Sequence, residues 1–303
     1  MVQNAARGPR PSLLTEPADR PAPPPDRTVS YGPDPAQVYD VRLPPSGDVA
    51  GAARQGSGDV AGAARQGSGE VETTVVVVHG GFWKAAWDRG HAAPQAAALA
   101  RAGFHVAVVE YRRVGMAGGG WTGTFDDVRA ALEAVRRDPA LPDRTVLVGH
   151  SAGGHLAVWL LHQVEGAGVA GAVSLAGCVD LTLTAELHLG DDAAPALLGG
   201  PPADRAPADL AGALDERYAA ADPARLAPPP APVHLVHGLL DEAVPVGVSR
   251  SYRDACARRG REVPLTGIPG AGHFELVDPQ HPASGHVLEA VGSLAGGRAS
   301  GGD

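Results

Sequence analysis

Short runs of β-branched and aliphatic residues alternate along most of this chain with longer stretches whose apolar positions recur every three or four residues. The runs at 73–78 (TTVVVV), 104–110, 145–148, 169–175, 233–236 and 262–268 predict strands. The stretches at 88–102, 125–137, 152–164, 246–259 and 284–294 carry the helical period and predict helices. An earlier segment, 37–43 (QVYDVRL), alternates polar and apolar residues and predicts one more strand. Thr124, followed three positions later by Asp127, reads as a capping box for the second helix. Strands separated by helices imply an α/β fold, with a mostly parallel, doubly wound sheet covered by helices on both faces.

Four segments break this rhythm. Residues 1–35 are rich in Pro and Arg, including Pro23-Pro24-Pro25, and are expected to form a disordered leader. The sequence SGDVAGAARQG at 46–56 is copied at 57–67 and begun again at 68–69. Two copies cannot stack into a solenoid, so 46–69 is expected to be a duplicated loop in solvent. Residues 180–226 hold many Pro, Gly and Asp and only short helical stretches, which is long for a connection. This segment would leave the sheet at the carboxyl end of a strand, where ligands bind, so it reads either as a lid-like insertion or as a surface insertion. Residues 297–303 read as a flexible tail. The α/β body is then a single domain over 36–296.

Composition narrows the classes. The chain of 303 residues is 44% hydrophobic but has only four Phe, five Tyr and four Trp, so Ala, Val and Leu must fill most of the core. A formal charge of −9, with no dense Lys/Arg cluster and Lys84 as the sole lysine, argues against a nucleic-acid partner. No apolar run is long enough to span a membrane, and no signal-peptide pattern is seen at the start. Cys178 and Cys256 have neither metal-ligand spacing nor a disulfide framework. A cytoplasmic location is the expectation. His234 and His237, three apart on a strand, face opposite sides, and neither HExxH nor CxxC occurs, so no metal and no cofactor are expected.

Chemistry concentrates at predicted strand ends. Gly149-His150-Ser151-Ala152-Gly153 is a G-x-S-x-G pattern. With 12 Ser and 41 Gly in the chain, about 0.2 such matches arise by chance, so the pattern alone is weak. Its setting is specific: it follows the apolar run at 145–148 and opens the helical stretch at 152–164, the strand–turn–helix that exposes a serine nucleophile. Flanking glycines avoid collision with the neighbouring backbone there, and the helix N-terminus turns its free N–H groups toward Ser151. His79-Gly80-Gly81-Phe82-Trp83 follows the TTVVVV strand, where an N–H of Gly81 or Phe82 can join that of Ala152 in holding an oxyanion. His79 itself is expected to fix this loop by hydrogen bonding. His150 is expected to point elsewhere.

Asp241 lies in the loop after the strand at 233–236, and His273 follows the strand at 262–268. Ser, then Asp, then His in chain order, each after a strand, supplies nucleophile, acid and base at one sheet edge. Glu242 and Asp180 are the alternative acids. Trp159, on the helix after Ser151, is assigned to the core. Trp83 and Trp121 either line a substrate pocket or pack beneath their own loops. Arg112 is expected to pair structurally at its strand end.

On these motifs the sequence resembles the α/β-hydrolase superfamily over roughly residues 38–294, and within it the lipase and esterase branch with His-Gly-Gly ahead of the nucleophile. HGGFW at 79–83 resembles the HGGxW motif of kynurenine formamidases of this fold, and EYRRVG at 110–115 resembles the strand-end D/E-Y-R of the same branch. Phe82 departs from the pattern by standing where many esterases have a third Gly. The resemblance implies an acyl-enzyme mechanism on small-molecule carboxylic esters of short or medium acyl chain. An arylformamidase acting on N-formylkynurenine is the alternative. A non-catalytic ligand-binding member of the fold is a third reading, although such proteins usually lack a member of the triad.

The repeat generates a prediction of its own. Deleting one eleven-residue copy from 46–67 should change unfolding free energy by less than about 1 kcal/mol, because loop-closure entropy varies slowly with length. Chemical denaturation of the deletion variant measures this, and a larger loss would mean that the repeat packs on the body.

Overall fold

The computed structural model describes residues 21–45, 72–164 and 168–296. The duplicated segment 46–69, most of the expected leader and the tail 297–303 fall outside the described residues. Among the described residues, eight strands form one sheet in the order β1-β2-β4-β3-β5-β6-β7-β8. They are β1 (Arg27–Ser30), β2 (Val38–Arg42), β3 (Thr74–Val78), β4 (His105–Val109), β5 (Thr145–His150), β6 (Val169–Leu175), β7 (Val233–Gly238) and β8 (Leu265–Ile268). β1 and β2 pair antiparallel at one edge, and the other strands run parallel. This is an α/β-hydrolase fold.

The central strands are buried at every position because both faces are covered, and most of their residues are apolar. Side chains alternate between two cores. Val75, Val77, Val146, Val148 and Val173 meet α1 (Ala93–Arg101) and α9 (Ala283–Gly296) through Leu99, Val287 and Val291. Val76, Val78, Leu147 and Ala172 meet α2 (Gly123–Arg136), α3 (Ala152–Leu161) and α8 (Gly247–Ala257) through Phe125, Leu156 and Tyr252. Each fully buried aliphatic side chain contributes roughly 1.5–3 kcal/mol relative to exposure, so the repeated Val and Leu replace the scarce aromatics as the main source of burial. Cys178 and Cys256 are buried free thiols.

Between β6 and β7 the insertion folds into α4 (Leu181–Glu186), α5 (Leu189–Leu198), α6 (Ala211–Ala221) and α7 (Pro223–Leu226). Its two ends are tied together. Asp180 caps α4 by accepting from Leu183 N at 2.8 Å, and Asp222 accepts from Thr182 N at 3.0 Å and Thr182 Oγ1 at 2.9 Å. Burial and the neighbouring Asp180 charge raise the Asp222 carboxyl above the usual carboxylate range.

Three local expectations need correction. The stretch at 88–102 is split into a 3₁₀ turn (Arg89–Ala92) and α1, because Pro94 lacks an N–H and its ring crowds the preceding turn. Thr124 and Asp127 form no capping box. α2 begins two residues earlier than expected, at Gly123, Thr124 Oγ1 donates to the Arg112 carbonyl at 2.6 Å, and Asp127 accepts a forked pair from Arg112 at 2.7 and 2.8 Å. The leader is ordered before residue 35: β1 adds an edge strand to β2.

That edge is clasped by Asp138, whose Oδ2 accepts from the Tyr39 hydroxyl at 2.7 Å and from Arg27 Nη2 at 2.6 Å. Tyr39 is 2% exposed. Asp138→Ala should therefore destabilise the fold by about 1–3 kcal/mol, the cost of an unpartnered buried hydroxyl. Arg27→Ala, which loses only a half-exposed pair, should cost under about 1 kcal/mol. Urea unfolding of the two variants checks the order, and equal losses would contradict it.

Candidate active site

β5 ends in Gly149-His150 and delivers Ser151 at φ 56°, ψ −121°, a conformation a side-chain-bearing residue holds only when its surroundings enforce it. The Ser151 N–H donates to the Leu175 carbonyl at 2.8 Å, and α3 starts at the next residue. Two glycines let the turn close. A Cβ on Gly153 would lie 2.0 Å from the Val78 carbonyl oxygen, and one on Gly149 would lie 2.0 Å from that of Gly153. The Ala152 N–H belongs to the first turn of α3, where backbone donors lack helical partners and the dipole favours negative charge.

The β3–β5 register pairs Val78 with Gly149, so the chain leaving β3 runs beside Ser151. Gly81, Phe82 and Trp83 take φ of 108°, 50° and 56° in succession. The turn is closed by the Lys84 N–H donating to the Gly81 carbonyl at 2.9 Å. Gly80 comes so near that a Cβ there would sit 3.1 Å from that of Ser151. The loop that carries Gly81 and Phe82 and the first turn of α3 with Ala152 thus both adjoin Ser151.

A buried charged network lies beneath this loop. His79 has Nδ1 2.8 Å from the Gly80 carbonyl oxygen and Nε2 3.0 Å from Glu110 Oε1, and its ring stacks on Tyr111 at 4.5 Å. Arg113 Nη1 pairs with Glu110 Oε1 at 2.9 Å and also donates to the Trp87 carbonyl. Glu110 Oε2 accepts from the Arg89 N–H at 2.9 Å. Burial alone would push the Glu110 carboxyl up. Hydrogen bonds from His79 and the Arg89 N–H, with the Arg113 charge, outweigh it and hold the group at about 2.

At the far side of the site, β7 and β8 run parallel, and Leu239 N and Leu240 N donate to the Ile268 and Ala271 carbonyls. This ladder brings the two following loops together: Asp241 Oδ2 lies 2.7 Å from His273 Nδ1. Asp241 Oδ1 accepts from the N–H groups of Ala243 at 2.9 Å and Val244 at 2.8 Å. His237, itself held by Ser249 Oγ and the Val244 carbonyl, stands 3.4 Å from Asp241 Oδ2. Burial would raise the Asp241 carboxyl, but hydrogen bonds from His237 and His273 prevail and hold it well below the usual carboxylate range. The charged carboxylate engages His273 through Nδ1 and leaves Nε2 as its second ring nitrogen.

The remaining candidates are dispersed. Glu242 is exposed, and Asp180 is engaged by Leu183 N and, at 2.6 Å, by Ser251 Oγ, so neither reaches His273 as Asp241 does. His234 is half-buried near Ser293, away from His237. Trp83 is 0% exposed, with its ring edge-on to His155, so it packs beneath its loop and is no open pocket wall. Trp121 is half-buried and packs edge-on against Phe125, and Trp159 belongs to the same core. The Phe82 ring lies instead against the insertion, where a Cβ on Gly190 would meet it at 2.5 Å. There α5 opens in a left-handed turn, with His188, Gly190, Asp191 and Asp192 at φ between 53° and 59°. Lys84 reaches Asp191 at 3.4 Å.

Sequence reasoning missed four neighbours. His150 turns onto the base, its ring 4.5 Å from that of His273. Glu110 and Arg113 anchor the HGG loop, whereas Arg112 pairs with Asp127. The Cys178 N–H donates to the Ser151 carbonyl at 3.3 Å, and burial pushes its thiol up to about 12, so it stays protonated. Charged residues directly after the apolar run at 104–109 were the available signal for Glu110. Among the described residues, no group of three or more His, Cys, Asp and Glu side chains is disposed to hold a metal ion, and no helix is long and apolar enough to cross a membrane.

Residues 63–255 match the BD-FAE family model. Esterase B from Lactobacillus rhamnosis is 17% identical and superposes with a TM-score of 0.64 over 91% of this chain and 88% of its own. A thermophilic esterase from the Planctomycetes species Thermogutta terrifontis is 19% identical, with a TM-score of 0.62 over 92% and 97%. A truncated carbohydrate esterase from gut microbiota is 18% identical, with a TM-score of 0.61 over 88% and 95%. At these identities the likeness carries the fold. Comparison with curated proteins gives no match.

The Glu110 network has a pH signature. Folding depresses this carboxyl from its ordinary 4.5 to about 2, so its stabilisation is complete above the ordinary value and is lost as pH falls through 4.5 toward 2. Glu110→Gln should lose roughly 3–5 kcal/mol at pH 7, because Arg113 keeps a buried, uncompensated charge. Its stability should then decline less steeply than wild type below pH 4.5. Denaturant unfolding at several pH values tests this, and parallel curves would contradict the assignment.

Proposed function

The chain belongs to the BD-FAE family, and on that footing we propose that it is a serine hydrolase acting on small-molecule carboxylic esters of short or medium acyl chain. The observation that carries this reading is the buried Asp241–His273 contact of 2.7 Å at the sheet edge where the strained elbow presents Ser151.

In this mechanism His273 takes the Ser151 proton through Nε2 as Oγ attacks the ester carbonyl. Asp241 stays ionised, orients the ring through Nδ1 and stabilises the imidazolium. The developing oxyanion is held by the Ala152 N–H and by that of Gly81 or Phe82, donors fixed before the reaction begins. His273 then protonates the leaving alkoxide, and by the reverse sequence it activates the water that releases the acid. Limited acyl length is supported by the contact of Phe82 with the insertion at Gly190, which sets the insertion against the HGG loop. The formamidase chemistry that HGGFW resembles gains no separate observation, and N-formylkynurenine serves as the control substrate.

Asp241→Asn should lower kcat by on the order of 10⁴ by favouring the wrong His273 tautomer, whereas Glu242→Gln should cost little. p-Nitrophenyl acetate or butyrate should be hydrolysed, with rates falling beyond about eight carbons as each further methylene meets a filled pocket. Steady-state kinetics over an acyl series and N-formylkynurenine checks both statements. A formamide kcat/KM about 100-fold above the best ester would replace the esterase reading, and an undiminished Asp241→Asn would remove the acid.

A further inference from the structure

The residue before the nucleophile occupies a position that the mechanism above does not use. His150 is 4% exposed, and its Nε2 lies 2.9 Å from the backbone carbonyl oxygen of His273. A carbonyl only accepts, so Nε2 carries the proton and Nδ1 holds the lone pair. Nδ1 is buried without a hydrogen-bond partner. The same nitrogen would lie 3.1 Å from a Cβ on Gly80, so the ring is seated under the oxyanion loop. On its other faces it meets the His273 ring at 4.5 Å, Phe274 at 5.8 Å and His91 at 5.8 Å.

These contacts require a neutral ring. A proton on Nδ1 would find no acceptor, and a charged His150 would oppose the imidazolium that His273 must become. Burial and the nearby His273 hold His150 well below the ordinary histidine range, and burial brings His91 down to about 4. One neutral side chain therefore touches the loop that carries the base and the loop that carries the oxyanion donors, while its own backbone is joined to Ser151.

Resting on the serine-hydrolase reading, we propose that His150 is a positioning residue that sets the height of His273 over Ser151 through the Nε2–H···O=C bond to His273. It donates no proton to substrate. Its loss lets the His273 loop move relative to Ser151 and the oxyanion donors while leaving the substrate-binding surface intact, so turnover falls and KM does not.

The test compares His150→Phe, which keeps a ring but removes the donor, with His150→Gln, whose amide N–H lies near the original Nε2. Turnover of p-nitrophenyl acetate is expressed per serine titrated with a fluorophosphonate, so that misfolded protein does not count. His150→Phe should lower kcat by about 10- to 100-fold, the scale of a small misplacement of reacting groups, with KM within about twofold. His150→Gln should recover most of that loss. A His150→Phe enzyme with wild-type kcat overturns the proposal, as does a His150→Gln enzyme as impaired as His150→Phe at equal titre, since ring packing would then account for the effect. Ser151→Ala is measured alongside: if it retains turnover, the serine-hydrolase reading itself fails. If it is inactive while His150→Phe is unimpaired, only the role of His150 fails.

Discussion

The close approach of α3 to the end of β3 is the constraint on which the site depends. Gly153 lies so near the Val78 carbonyl that no side chain fits between them. That contact forces the chain from β5 into α3 through a single turn, and Ser151 absorbs the turn at φ 56°. It also fixes the HGG loop beside the nucleophile, because that loop leaves β3 directly after Val78. Replacing Gly153 with a larger residue would move Ser151 and the HGG loop together. The strain at Ser151, of order 1–3 kcal/mol for such a conformation, is held by packing elsewhere in the sheet.

Charge is distributed around this turn in two separate groups. On one side Glu110, Arg113 and His79 form a buried network under the oxyanion loop, and on the other Asp241 is surrounded by donors under His273. The histidines between them, His91 and His150, are desolvated and held neutral. In the proposed mechanism, the positive charge that His273 gains would therefore face one carboxylate and neutral rings. Solvent is kept at a distance: Ser151 is 2% exposed, and the insertion rests on Phe82.

Much of the framework was legible in the sequence because its signals are local. β6 lies at 169–175 as the apolar run indicates, since a strand buried on both faces needs such a run. The turns that hold Ser151, Asp241 and His273 carry glycines or fall just after apolar runs, so position along the chain located them. β1 was not legible: RTVS follows a proline-rich stretch and gains its structure from pairing with β2. Thr124 and Asp127 mimic a helix cap but are claimed by Arg112. Leu265 rather than Glu262 opens β8, because Pro264 cannot donate to the ladder. His150 was misread because its partner lies 123 residues away, a contact no local pattern encodes.

A single nucleophile at residue 151 is most directly examined by titrating the protein with diisopropyl fluorophosphate and following both esterase activity and the modified peptide by mass spectrometry. The serine-hydrolase reading predicts one phosphoryl group per chain, on the peptide containing Ser151, with activity lost in proportion to its occupancy. Activity that persists at full Ser151 modification, or that disappears while Ser151 remains unmodified, would contradict it.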